Sequence, residues 1–271
     1  MLFVCPKCKE KLNISGGALK CQNGHSYDRS RKGYYNLLLS NKSGTHGDNR
    51  LMVDSRRAFL DKGFYAPLAE KLSELAVKVT PPRGCVLDIG CGEGYYTEFI
   101  QRAIEKRDGS AQIYAFDISK DATALAARRV PSVGFAVASA YDMPIADGTV
   151  DTAVNMFSPL ATGEIYRSLN ANGHFIMAIP GVEHLFGLKS KLYSEPYKNT
   201  VNDPEIEGFE LVTSESITYE IKLESNEDIR NLFGMTPYAY RTGKEGRELI
   251  EKLEKLETTV DFIIFAYKKV Q

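Results

Sequence analysis

The chain has 271 residues, 43% of them hydrophobic and 25% charged, and its 34 Lys and Arg against 35 Asp and Glu leave a net charge of −1. Such a chain can bury a globular core, and its length allows one large domain with an appendage. No apolar run approaches the span of a bilayer and Leu2-Phe3-Val4 is too short for a secretory core, so no membrane-spanning helix is expected and a cytoplasmic protein is.

Residues 1–62 hold 12 Lys and Arg against 5 Asp and Glu, an excess of +7, and the remaining 209 residues carry −8. A basic end suits an anionic partner such as nucleic acid; the plainer alternative is a solvated, lysine-rich surface. The same end holds Cys5, Cys8, Cys21 and His25, in the pattern C-x2-C-x12-C-x3-H. That spacing is the one a tetrahedral structural zinc site uses, and Pro6 and Gly24 supply the turns that aim neighbouring ligands at one ion. Four protein ligands leave no open position for catalysis, so the Zn2+ is expected to hold a fold. About 35 residues cannot bury enough apolar surface to fold alone, which is why a metal staple is needed. A disulfide is opposed by the odd cysteine count and the expected reducing compartment. Cys85 and Cys91 read as small packing residues.

Residues 40–52 are polar and contain glycine, and they read as a mobile linker. The expected division is a zinc-binding module at 1–37, a linker at 38–53 and a main domain at 54–271. Asp54 is placed to cap a helix over Ser55-Arg56-Arg57-Ala58-Phe59-Leu60, and Pro67 to open another with Leu68, Leu72 and Leu75 on one face. The rhythm then alternates: strands at 84–88, 112–116, 133–137, 150–156 and 173–179, helices at 95–107, 119–129 and 160–170. An α/β fold with a parallel sheet between helices follows, its ligands at the carboxyl ends of the strands. Past Pro180-Gly181, residues 209–223 and 258–268 are β-type runs that finish the sheet as a hairpin. Between them lie a helical insertion and an amphipathic helix over 245–257.

Val86 through Tyr96 runs from a strand end through Asp88 into Gly90, Gly92 and Gly94 and then a helix. The spacing is G-x-G-x-G, not the G-x-G-x-x-G of a dinucleotide site, and Asp88 just upstream repels a pyrophosphate but attracts a cation. This turn resembles motif I of the class I S-adenosylmethionine (SAM) methyltransferases. The next strand ends in Asp117, the expected place for a carboxylate that accepts both ribose hydroxyls.

The zinc pattern, the run Arg56-Arg57-Ala58-Phe59-Leu60-Asp61-Lys62-Gly63-Phe64-Tyr65-Ala66-Pro67-Leu68, the glycine turn, Pro180-Gly181-Val182-Glu183-His184-Leu185 and Met235-Thr236-Pro237 together resemble the 23S rRNA (guanine-N1)-methyltransferases. The resemblance covers almost the whole chain. It implies a class I, Rossmann-like, mostly parallel seven-stranded sheet with a small N-terminal zinc-binding domain that recognises RNA. It also implies a homodimer that uses SAM to methylate N1 of a guanine in hairpin 35 of 23S rRNA. By motif, Gly90, Gly92 and Glu93 fall on the cofactor loop, Asp117 on the ribose acid, and Tyr65 and His184 on positions that touch SAM in the family. For Tyr65 the alternative is a core aromatic, and for His184 a surface histidine at a helix start.

Guanine N1 must lose a proton, so Asp142 is considered as a base and Asn155 as a group orienting the base edge. Phe157 is placed either to stack on a flipped guanine or to pack on Pro159. No residue is assigned as the catalytic base. Arg56 and Arg57 are expected to grip RNA phosphates beside the zinc module. Two rival functions are a small-molecule methyltransferase with a structural zinc knuckle and a non-catalytic zinc-ribbon scaffold.

Overall fold

The computed structural model describes residues 1–39 and 47–271; residues 40–46 of the expected linker lie outside them. The N-terminal segment makes a three-stranded antiparallel sheet from β1 (Asn13–Ser15), β2 (Ala18–Lys20) and β3 (Ser26–Asp28). It then sends β4 (Tyr34–Asn36) into the main sheet, parallel to β7 (Gly134–Val137).

That main sheet has eight strands in the order β10-β11-β9-β8-β5-β6-β7-β4. The expected seven are all present: β5 (Cys85–Ile89), β6 (Gln112–Asp117), β7, β8 (Val150–Met156), β9 (Leu169–Pro180), β10 (Phe209–Leu223) and β11 (Leu256–Lys269). The eighth comes from the zinc-bearing end. Leu37 continues the pairing through its N–H to the Val137 carbonyl at 2.9 Å and is buried, so the last residue of the expected N-terminal module is part of the main fold. β11 runs antiparallel between β9 and β10, which closes the sheet as the expected hairpin.

Alternation along the buried strands feeds two cores. Val86 and Ile113 pack with Leu68, Leu72 and Ile100 from α2 (Ala66–Val79) and α3 (Tyr95–Arg107). Leu87 and Phe116 face the other way, toward Phe3, Leu12 and Leu19 of the N-terminal module and toward Met143 and Ile145. The N-terminal module therefore completes one face of the sheet.

α1 spans Arg50–Asp61 and is capped by Asn49, whose Oδ1 accepts the Met52 N–H at 3.0 Å. The expected cap, Asp54, sits inside this helix and pairs with Arg50. α2 starts at Pro67's turn as expected, because proline's missing N–H costs nothing in a first helical turn. α4 spans Lys120–Arg129 and α5 Thr162–Ser168; α5 ends before the expected 170 because Leu169 already enters β9. α6 (Phe186–Leu192), α7 (Asn226–Gly234), α8 (Tyr238–Arg241) and α9 (Lys244–Lys252) follow. The expected 245–257 helix stops there, and Leu256 belongs to β11. Among the described residues no helix is long and apolar enough to cross a membrane.

Candidate functional site

Cys5, Cys8, Cys21 and His25 converge, their ligand atoms all within 4.8 Å of one another. Cys8 and Cys21 Sγ are 3.7 Å apart, and His25 Nδ1 lies 3.4, 3.5 and 3.5 Å from the sulfurs of Cys5, Cys8 and Cys21. Metal–ligand bonds of about 2.3 Å to sulfur and about 2.0 Å to nitrogen, set at tetrahedral angles, put the ligand atoms about 3.5 to 3.8 Å apart. The four atoms thus sit at the corners of a zinc-sized tetrahedron, with Nδ1 as the histidine donor. Tyr27 Oη lies 3.2 Å from Cys5 Sγ, positioned to support a metal-bound thiolate from outside.

A second constellation lies where β5, β6 and β8 end. Gly90 has φ +70°, and a Cβ there would stand 2.3 Å from Ser158 Cβ, so the turn after β5 and the turn after β8 touch through a glycine that nothing larger can replace. Ser158 Oγ–H also donates to the Ile89 carbonyl at 2.9 Å. Gly92, at φ +56°, is different: a Cβ there would meet only Arg56 Nη1, at 3.8 Å. Its open side is free for a ligand to approach the backbone.

Asp117 Oδ2 accepts the Gly92 N–H at 3.0 Å and Oδ1 the Ser119 N–H at 2.8 Å, so the acid at the end of β6 fixes the glycine turn. Asp88 is buried beneath that turn, and its Oδ2 accepts from Thr97 Oγ1 at 2.5 Å; burial pushes its carboxyl up to about 7. Glu93 is also buried, which raises its carboxyl. Among these acids lies Arg56. Burial works against its charge, but Asp48 at 2.5 Å, with Glu93 and Asp117 nearby, more than offsets this and holds it ionised. Arg56 and Arg57, read as one RNA-gripping pair, lie in different surroundings. Arg56 faces the glycine turn, and Arg57 lies on the surface paired with Asp61.

Aromatic side chains crowd the same edge. The Phe262 ring centroid lies 5.3 Å from Tyr65, 4.2 Å from His184 and 5.1 Å from Phe157, and Phe157 is 6.2 Å from Tyr96. Tyr65 and His184, far apart in sequence, are 6.2 Å apart here. Tyr65 is a buried aromatic, and His184 is buried too, which excludes the surface reading. Phe157 is 48% exposed and held at φ +61°, a left-handed conformation that a bulky side chain adopts only when its surroundings impose it. The imposing group is Asn155, whose Nδ2–H donates to the Pro159 carbonyl at 3.1 Å and whose Oδ1 accepts the Ser158 N–H at 3.3 Å. Asn155 is spent on shaping the turn that presents Phe157. Asp142 is engaged as well, in an ion pair with Lys9 at 2.7 Å.

Local patterns miss Asp261 and Phe262. The Asp261 backbone N–H donates to His184 Nδ1 at 3.3 Å, Oδ2 accepts the Glu183 N–H at 2.9 Å, and a Cβ on Gly181 would lie 2.3 Å from Oδ2. One carboxylate thereby shapes the whole Pro180-to-His184 turn. A lone acid in the apolar run Val260-Asp261-Phe262-Ile263-Ile264 is the sign that could have found it.

Because Nδ1 accepts that N–H, neutral His184 carries its proton on Nε2. Burial lowers its pKa to about 3. An unfolded histidine titrates at about 6.5, so between those values the unfolded chain binds the extra proton. Stability from this group is complete above about pH 6.5 and is lost as pH falls toward 3. Replacing His184 with Asn, which can accept the same N–H, is expected to narrow the wild-type stability advantage by about 2 kcal/mol between pH 7 and pH 5. Urea unfolding of both proteins at the two pH values measures this, and a pH-independent gap contradicts it.

Residues 3–43 match the family model described as "RlmA, N-terminal", and residues 86–173 match the one described as "Methyltransferase domain". A Streptomyces fradiae protein named 23S rRNA (guanine(748)-N(1))-methyltransferase is 37% identical over 191 residues, 69% of this chain and 66% of its own. A Micromonospora griseorubida protein, provisionally named 23S rRNA (guanine-N(1)-)-methyltransferase, is 31% identical over 261 residues, 88% of this chain and 86% of its own. A Bacillus subtilis protein with the same provisional name is 28% identical over 271 residues, 96% and 94% of the two chains.

Proposed function

The chain belongs to the 23S rRNA (guanine-N1)-methyltransferase family, and from that premise we propose that it methylates N1 of a guanine in hairpin 35 of 23S rRNA, using SAM. The observation that carries this reading within the molecule is Phe157. It is an exposed aromatic forced into a left-handed turn directly against the glycine loop, where a base lifted from structured RNA can stack beside the methyl donor.

In this reading Gly90, Gly92 and Glu93 form the cofactor loop, and Asp117 receives the ribose hydroxyls. Asp88, bonded to Thr97, supports the loop from beneath, and Tyr65 and His184 close the pocket beside Phe262. When bound, SAM supplies an electrophilic methyl on its sulfonium. The protein's task is alignment of N1 with that carbon, an arrangement that can contribute about 7 to 11 kcal/mol. Phe157 fixes the plane of the base, Asn155 fixes Phe157, and the Tyr65–Phe262–His184 cluster keeps water from the reacting atoms. Cys5, Cys8, Cys21 and His25 hold a structural zinc.

The substrate implies a cytoplasmic location. A homodimer is part of the proposal; the free edge of β10, where Leu211 and Val212 are exposed, offers a surface for it, and light scattering of the purified chain reports the state.

Mass spectrometry of nuclease-digested 23S rRNA from cells with and without the protein tests the proposal. One N1-methylguanine, mapped to hairpin 35, is expected only where the protein is present. Identical digests sink the reading, and methylation of another rRNA hairpin removes the hairpin 35 assignment.

A further inference from the structure

The four basic residues Arg29, Arg31, Lys32 and Arg128 line one open cleft of about 660 Å³, between the turn that joins β3 to β4 and the C-terminal end of α4. The turn is closely seated. Gly33 N–H donates to the Ser30 carbonyl at 2.9 Å and Ser30 N–H to the Tyr34 carbonyl at 2.8 Å, and a Cβ on Gly33 would stand 3.3 Å from Ala127 Cβ in α4. The cleft is therefore a fixed seam between the N-terminal module and the main sheet.

Its charge is uncompensated. In the last turn of α4, Arg129 is neutralised by Asp61 at 2.5 Å and Glu98 at 3.0 Å. Its neighbour Arg128 lines both the cleft and the adjoining hollow that holds Asp61 and Glu98, and among the described residues none of the four cations has a carboxylate within ion-pairing distance. Three guanidinium forks and one ammonium in one seam, with no acid in its lining, suit the planar oxygens of successive phosphodiesters.

Position within the fold decides which phosphates. β4 and β7 are parallel, and the turn precedes β4, so the cleft opens at the amino edge of the sheet. The glycine loop and Phe157 lie at the carboxyl edge. α4 runs between the two edges, and its 10 residues rise about 15 Å at about 1.5 Å each. A strand of RNA whose target base reaches Phe157 cannot place the same nucleotide's phosphate in the cleft.

We propose that the cleft between the Arg29-to-Gly33 turn and the end of α4 clamps the phosphate backbone of the RNA stem flanking the methylated guanine. This rests on the rRNA reading above and adds that recognition extends across the flank of α4 to the far edge of the sheet. It also moves the phosphate grip from the Arg56–Arg57 pair to the β3–β4 turn.

The test compares full-length wild type with the triple variant Arg29→Gln, Arg31→Gln, Lys32→Gln and with Arg128→Gln, all at exposed positions. Binding of unmodified 23S rRNA transcript is read by filter retention across a salt series, with SAM affinity read by calorimetry. Loss of three phosphate contacts is expected to weaken RNA binding at least tenfold near 0.1 M salt and to lower the log–log salt slope by about 2 to 3. SAM affinity and Tm should stay at wild-type values. On a transcript trimmed to the hairpin loop and its closing pairs, wild type and variants should bind alike, since that RNA does not reach the cleft. Wild-type affinity and salt slope in both variants on the long transcript overturn the clamp. So does a defect confined to anionic phosphatidylglycerol vesicles. If wild type itself neither binds nor methylates the transcript, the functional reading fails instead.

Discussion

Stripping the metal is expected to weaken SAM binding at least tenfold along with loss of the N-terminal fold. The three short strands of the module bury little by themselves, and structural zinc in such modules supplies an apparent 10 to 16 kcal/mol or so of folding free energy. What the metal holds is built into the cofactor edge. Val4 N–H donates to the Pro144 carbonyl at 2.8 Å, Lys9 pairs with Asp142 at 2.7 Å, and Phe3, Leu12 and Leu19 pack against Met143 and Ile145. These contacts fix the segment that leaves β7, and that segment begins with Ala138 N–H bonded to the Asp117 carbonyl at 3.1 Å. Losing the module uncovers one face of the sheet beside Asp117 and frees β4 from β7. Calorimetry with SAM before and after chelation, repeated with Cys21→Ser, should show affinity falling at least tenfold. Tm should fall by about 10 °C or more, at about 2 to 4 °C per kcal/mol for a chain of this size. Chelated protein that keeps its SAM affinity within twofold would contradict the coupling.

This coupling is also where the sequence stops being legible. Cys5, Cys8, Cys21 and His25 declare themselves by spacing, because consecutive ligands must share one turn. Asp88, Gly90, Gly92 and Asp117 declare themselves because a strand, a tight turn and a helix leave a contiguous pattern. Tyr34-Tyr35-Asn36 does not, since a three-residue edge strand is defined by a partner a hundred residues away. Asn49 is passed over as a cap because it lies in the polar, glycine-containing run 40–52 that reads as linker, although its side chain bonds the Met52 N–H as a cap must. Arg56 and Arg57 are adjacent and chemically identical, yet α1 turns one toward Gly92 and the other to solvent. Asn155 carries the right chemistry to touch a base, but only the folded turn reveals that both ends of its amide are already engaged. In each case what is missed depends on where a side chain points once distant segments have packed.

Replacing Asp117 with Asn is expected to weaken SAM binding by two to three orders of magnitude while leaving the protein folded. In the unliganded chain both carboxylate oxygens already accept backbone N–H groups, from Gly92 and Ser119. Burial raises the carboxyl's pKa, and these two donors oppose that rise and favour the charged form. An amide of the same shape turns one acceptor into a donor. It then either faces an N–H of its own backbone or flips and faces the other, so one bond of the pair is lost in any orientation. It also leaves a single oxygen for the two ribose hydroxyls. Hydrogen bonds to a charged group contribute about 1.5 to 3 kcal/mol each, so one or two of them lost on binding correspond to about 1.5 to 6 kcal/mol. The one backbone bond lost in the unliganded chain, also to a charged group, lowers stability by about 1.5 to 3 kcal/mol, so Tm should fall by about 3 to 12 °C with the protein still folded. The two readouts therefore separate the roles. A residue that merely shaped the turn would lower Tm and SAM affinity in proportion, whereas a ribose acceptor lowers affinity more than stability. Calorimetric titration with SAM and, separately, with its product S-adenosylhomocysteine should give the same fold-loss, because the two share the ribose. A loss confined to SAM would place Asp117 against the sulfonium charge and remove it from the ribose.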